Sequence, residues 1–491
     1  MKARIVTTLT AVVCFVFTTQ MGAFAAGAPE VEDDPEEHVE LIWRYPQFDG
    51  ANHPDLQMVE DAANEIINAE INASVRLEPI PIPEYDERMN AALAAGERMD
   101  LVYSSWWTLN YFDNIRRGAF QPMDDLLEQY APTYLAEYDD YIWDAARVEG
   151  SIYGIAHHSS AAGPNGLVVR KDLLEQTDFD PDSVEHYRDF GRLFEQLQEL
   201  EPDKNTLVMG GPGFWGLVPH MLGMEQMPNE FVLYRDDPDL TPHLAYETPE
   251  YAEYLEIVRE WYDAGYINED AATVVNAFDL LSAGDYTAFF SRNFTQEIGT
   301  GPDGSTVVNI PVGQGYLWTN VVLDHVTAIS HTSRHPERAM QLIDLVRADE
   351  ELWRTLTYGV EGVHWEVSPE GFMVDLDRDR YNPGAQWMFG HAYHLGLPSD
   401  EQDAENRELY WQAMEEAEPS KILGFQFDDT PVSSAVASVS AAMDEFIPAL
   451  NTGTGDPDEY LPRFLGRLEG AGIWTIQDEL IDQLEEWKEQ R

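Results

Sequence analysis

Between residues 39 and 104, strand and helix patterns alternate, and this alternation restricts the possible folds more than any other feature. Residues 39–45 (VELIWRY) form an apolar, β-prone run, and residues 55–72 then place Leu56, Val59, Ala63, Ile66 and Ile67 at helical spacing. Residues 74–82 read as a strand whose prolines mark an edge or an exit, residues 85–96 as a helix closed by glycine, and residues 99–104 as a further short strand. A β-α-β-α-β order needs crossover helices between parallel strands, so an α/β unit with a mainly parallel sheet is expected. Ligands of such sheets sit beyond the C-terminal strand ends, which points to loops 45–53 and 104–111.

A second α/β stretch follows, with strand candidates at 167–170, 206–209 and 286–290. Residues 247–265 form a helix carrying Tyr254, Ile257, Val258 and Trp261 on one face. Residues 324–330 read as a strand and 335–348 as a helix. From residue 406 the pattern is helical throughout: Val432, Val436, Val439, Met443, Phe446 and Leu450 recur at four- and three-residue steps, as do Ile473, Ile476, Leu480, Leu484 and Trp487.

Charge narrows the function classes. The 491 residues include 90 Asp+Glu against 29 Lys+Arg, a formal net charge of −61, yet 44% of them are hydrophobic. That apolar fraction supports sizeable cores and excludes a disordered acidic chain. The acid excess also excludes a nucleic-acid binder and a protein that docks on anionic lipid, since both need basic surface. Only five cations are lysines (Lys2, Lys171, Lys204, Lys421, Lys488). Acid spread along the chain with lysine depleted is expected of a halophilic protein, whose acidic surface tolerates concentrated salt because the Debye length falls to about 3 Å at 1 M.

At the N-terminus, Lys2 and Arg4 precede an apolar stretch and then Ala23, Ala25 and Ala26. This is the pattern of a signal peptide, residues 1–26, cleaved near Ala25 or Ala26. Cys14 follows Val13 inside the apolar stretch, so it forms no lipobox and no lipid anchor is expected. Residues 27–38 read as a flexible acidic leader. The mature chain then has no cysteine for a disulfide framework and is expected to be periplasmic or secreted.

Six phrases, in order, resemble the carbohydrate-type extracellular solute-binding proteins of ABC importers (family 1), in the LipO-like branch. Residues 99–106 (MDLVYSSW) resemble that family's D-L-x-x-S-x-W strand end. Residues 117–127 (RGAFQPMDDLL) and 150–155 (GSIYGI) resemble two further segments, with Ala156 in place of a proline. Residues 248–267, 358–365 (YGVEGVHW) and 422–428 with 449–457 complete the set. The resemblance implies a periplasmic-binding-protein-like fold of type II: two α/β lobes, a hinge and a helical C-terminal extension. Lobe one would comprise 39–157 with 323–360, and lobe two 160–320 with 361–405. Residues 406–491 would pack on lobe two, and the hinge would cross near 156–162 and 319–323. It also implies a carbohydrate ligand, expected to be an oligosaccharide, delivered to the permease subunits of an ABC transporter. No catalysis, cofactor or metal is expected, and the chain is expected to be a monomer.

A sugar presents hydroxyls at its edges and C–H groups on its faces, so its site needs aromatic platforms with carboxylates or amides beside them. Tyr45, Gln47 and Asp49 occupy the first strand's exit loop. Trp106 and Trp107 follow the third strand, and either line a cleft or pack. Trp215 sits in a glycine-rich turn (GGPGFWG) that lacks the Lys-Ser/Thr of a phosphate loop. Glu361, between Gly359 and Gly362, either meets ligand or holds its turn, and Trp365 follows it. Trp318 and Trp387 are further candidates, and His157 is read as a hydrogen-bonding group rather than a metal ligand. Two other classes draw on the same materials: a secreted glycosidase or lyase, and a sensory binding protein that presents ligand to a membrane receptor. With 90 acids, no catalytic carboxylate pair can be singled out.

Overall fold

The computed structural model describes residues 37–48, 53–157, 162–274, 276–292 and 298–489. The expected signal peptide, almost all of the expected leader, and Asp49 therefore lie outside the described residues.

The alternating N-terminal pattern builds a five-stranded sheet in the order Ala73–Pro81, Val39–Gln47, Leu101–Ser104, Val326–Ile329, Gly154–Ala156. The first three are mutually parallel, with Val39 opposite Ala73 and Trp43 opposite Leu101. The helices Leu56–Ile71 and Ile82–Ala95 make the crossovers and bury Val59, Ala63, Ile67 and Tyr85, Met89, Leu93. Each closes on a left-handed residue, Asn72 (φ 48°) and Gly96 (φ 66°), the usual way to end a helix and turn back to the sheet. Val326–Ile329 arrives from the other lobe and runs antiparallel to both its neighbours. Its N-terminus therefore lies at the same sheet end as the C-termini of the other strands.

The second sheet differs from the parallel expectation. Its order is Ala288–Ser291, Asn165–Arg170, Thr306–Val312, Ile298–Thr300, and every pair is antiparallel. Strand direction is not written in hydrophobic periodicity, and no short crossover helix links these neighbours. Of the expected strand 206–209, only Leu207 bridges, to Ile267 and Ala288. The C-terminal helices Ser433–Asn451, Pro457–Ala471 and Ile473–Glu489 share one buried cluster with Phe194, Tyr254 and Trp261. Tyr254 donates to the Asn451 carbonyl at 2.6 Å, and Tyr251 to its side-chain oxygen at 2.8 Å. Gly213 (φ 65°) sits so close to that turn that a Cβ would collide with the Asn451 carbonyl.

Residues 361–405, expected in lobe two, lie instead on lobe one. Trp365, Met373, Met388, Phe389 and Leu395 are buried with Trp43, Tyr45 and Trp353. Phe389 meets the Trp43 ring at 5.1 Å and the Tyr45 ring at 4.9 Å. The first strand ends in large aromatic surface that must be covered, and this irregular segment covers it. A further crossing was not expected: Tyr316–Leu317 pairs with Glu418–Pro419, and Ser420 N–H donates to the Leu317 carbonyl at 2.7 Å.

Candidate ligand-binding site

Between the lobes lies a cavity of about 1360 Å³. Lobe one contributes Phe48, Trp107, Asp324, His325 and Trp387; the opposite wall includes Lys171, Gly299, Thr300 and Thr306. The helix Glu401–Glu416 adds Gln402, Asp403, Asn406 and Arg407.

The two consecutive tryptophans work together because the strand ends before them. Ser105 Oγ accepts from the Thr108 N–H at 2.9 Å and the Trp107 N–H at 3.2 Å, forming a tight turn that frees both indoles from strict alternation. Both indole N–H groups then converge on one residue. Trp106 donates to the Asp324 carboxylate at 2.8 Å, and Trp107 to the Asp324 carbonyl at 3.1 Å. Across the cleft, the Arg292 guanidinium lies 5.9 Å from the Trp106 ring.

Trp387 sits at the centre of the aromatic wall. Trp107 meets it edge-on at 6.0 Å and Phe48 at 5.2 Å, while His325 stacks on it at 3.9 Å and 12°. His325 is bonded to the Tyr103 hydroxyl at 2.8 Å. His157 is buried beneath. One ring nitrogen, Nδ1, is 2.7 Å from the Trp387 carbonyl, and the other, Nε2, is 2.8 Å from the Thr327 hydroxyl. A carbonyl only accepts, so Nδ1 carries the proton and Nε2 accepts from Thr327. Burial depresses both histidines to about 3, which keeps the rings neutral.

The charge lining this cavity is mixed. Asp324, Asp375, Asp400 and Asp403 face Lys171, Arg378 and Arg407. Arg378 pairs with Asp375 at 3.0 Å, and Arg407 donates to the carbonyls of Gly396 and Leu397 at 3.1 and 3.0 Å. At the crossing, Glu225 is buried. It accepts from Tyr316 at 2.9 Å and from Ser420 at 2.7 Å, and Arg235 lies 3.7 Å from the Tyr316 ring centre. Burial pushes the Glu225 carboxyl up to about 7, against the opposing pull of those hydroxyls and of Arg235.

The sequence candidates therefore separate. Trp106, Trp107, Trp387 and His157 are brought together around Asp324 and His325. Trp318 is half-buried against His220 in a small crevice that also holds Arg292. Tyr45 (1% exposed) is covered by Phe389 of the 361–405 segment and is core, and Gln47 (7%) is buried. Trp365 is also core, its indole donating to the Gly359 carbonyl at 2.9 Å. Glu361 is exposed and lines none of these cavities. Trp215 packs on Tyr251 and Tyr254 inside lobe two. Phe48, Asp324 and His325 were not among the candidates. Phe48 falls in the exit loop already indicated, whereas Asp324 and His325 immediately precede the strand Val326–Ile329, and only its reversed direction brings them to the cleft.

The family model for bacterial extracellular solute-binding proteins matches residues 62–359, about three-fifths of the chain. This chain belongs to that family. A second model, described as a domain of unknown function, matches residues 421–489 of this binding protein. It is 24% identical over 455 residues to a carbohydrate ABC transporter substrate-binding protein of Streptococcus pneumoniae, covering 87% of each chain. It is 23% identical to the polygalacturonan/rhamnogalacturonan-binding protein YtcQ of Bacillus subtilis, covering 72% of this chain and 74% of YtcQ. Its fold matches the crystal structure of the N-glycan transport solute binding protein NgtS from Streptococcus pneumoniae with a TM-score of 0.77 at 22% identity, over 91% of this chain and 98% of NgtS. NgtS has also been solved with Man1GlcNAc and with Man5GlcNAc, at TM-scores of 0.69 and 0.68. The two-lobed α/β architecture is thus that of the solved solute-binding proteins.

Proposed function

We propose that this protein captures a neutral oligosaccharide between its lobes and delivers it to the permease subunits of an ABC importer, without altering it. The arrangement of Trp107 and Trp387 supports this reading: they stand edge to face at 6.0 Å beside the Asp324 carboxylate in an interlobe cavity. Aromatic faces take up sugar C–H surface while a carboxylate accepts from hydroxyls. The cavity's 1360 Å³ exceeds the roughly 300–1,000 Å³ of small-molecule pockets, which suits several sugar units. The formal charge of −61 disfavours polyuronates. Closure would place both lobes correctly for the permease only when ligand is bound.

The same reading makes the protein an exported monomer, released by signal-peptide cleavage near Ala25 or Ala26, with no lipid anchor and with an acidic surface adapted to high salt. Calorimetry with Man1GlcNAc and Man5GlcNAc, combined with chromatography of the recovered glycan, tests it. Saturable binding with intact glycan is expected. Cleaved product would overturn the transport reading in favour of an enzyme.

A further inference from the structure

A second hollow, of about 550 Å³, lies in lobe two between the glycine-rich turn and the C-terminal helix Ser433–Asn451. Met443, Ile447 and Pro448 of that helix form an apolar wall, and Gln226 and Glu230 stand among the polar lining groups. We propose that this hollow is a second saccharide subsite, holding a neutral sugar unit of an oligosaccharide whose other end lies against Trp107 and Trp387. The proposal rests on carbohydrate capture in the main cleft and assigns a role to the region matched only as a domain of unknown function.

Four observations carry it. The hollow is linked toward the cleft: Gly216 lines it and also lines the crevice containing Trp318 and Arg292, Arg292 lies 5.9 Å from the Trp106 ring, and the Trp106 indole bonds the cleft residue Asp324. Its chemistry suits a sugar, since aliphatic side chains offer a surface for C–H groups while the Gln226 amide and the Glu230 carboxylate offer partners for hydroxyls. Glu230 accepts from Tyr246 through one oxygen at 2.8 Å, and no described residue bonds the other. Asn229 and Glu230 both hold left-handed φ, 56° and 67°, a strained pair with no glycine, of the kind retained where a site needs it. Trp215, which also lines the hollow, keeps an indole N–H with no acceptor among the described residues. The carboxylates of Glu230 and Asp444 flank the hollow and would repel an acidic sugar, so the unit is neutral.

Man1GlcNAc, with two units, fills one site, whereas the six-unit Man5GlcNAc has units left over for the second. The test measures both glycans against wild type, Ile447→Asp and Gln226→Ala, with amide exchange of the wild type as an independent readout. Each substitution is expected to weaken Man5GlcNAc at least tenfold and to leave Man1GlcNAc within twofold. Man5GlcNAc alone should slow exchange across residues 443–451. If Ile447→Asp does not fold, Gln226→Ala and the exchange data decide the matter. Equal losses for both glycans, or no loss together with no selective protection, overturn the subsite while leaving capture intact. Failure of wild type to bind either glycan overturns the capture reading and the subsite with it.

Discussion

Glu225 gives the crossing a measurable signature. Its carboxyl is 5% exposed and is pushed up to about 7 by burial, from an ordinary 4.5. A carboxyl whose folded value lies above its unfolded value holds its proton more tightly when folded, so the folded state binds more protons between those values. Stability therefore falls as pH rises from about 4.5 to 7, and the cost is complete above 7. At 1.36 kcal/mol per tenfold change, the full cost is about 3 kcal/mol at pH 8. Glu225→Gln removes the charge and keeps the shape. The buried histidines His157, His220 and His325, all held near 3, act in the opposite sense, adding stability as pH rises from about 3 to 6.5. They are common to both proteins and cancel in the difference. Denaturant unfolding of the two at pH 5, 6, 7 and 8 should show the variant gaining about 2.5 kcal/mol on the wild type between pH 5 and 8, since part of the cost is already present at pH 5. Parallel profiles, or a wild type that gains on the variant at high pH, would refute the account of Glu225 as a charge buried at a cost.

Trp387→Ala should cost about 2 kcal/mol of glycan affinity, roughly thirtyfold, while lowering the unliganded melting temperature only slightly; calorimetry and thermal unfolding check this, and unchanged affinity would remove Trp387 from the site. Trp365→Ala should behave in the opposite way, losing about 3–5 kcal/mol of stability with the affinity of folded protein within twofold, because its ring is packed against Tyr358 at 5.4 Å. Melting temperature should rise steeply from 0.05 to 2 M NaCl, since screening relieves carboxylate repulsion; a flat profile would sink the salt-adapted reading.

What could be read from the sequence were the local patterns. Period-3.6 and apolar runs located the strand–helix alternation of lobe one and the C-terminal helices, because these depend on each residue's neighbours along the chain. The strand-end argument likewise pointed to Trp106 and Trp107, whose turn is made locally by Ser105 and Thr108. Direction and cover were decided elsewhere. Tyr45 sits in an exit loop by sequence, yet Phe389, more than 300 positions away, turns it into core. Asp324 becomes a cleft residue only because the strand that follows it, Val326–Ile329, enters the sheet reversed, from the second lobe. The residues of a site between two lobes come from segments far apart in the chain, and which of them face the space is settled by long-range packing. The sequence by itself determined the local elements of lobe one, the C-terminal helices and the family; tertiary structure determined which aromatics face the interlobe cavity and which hold the lobe together.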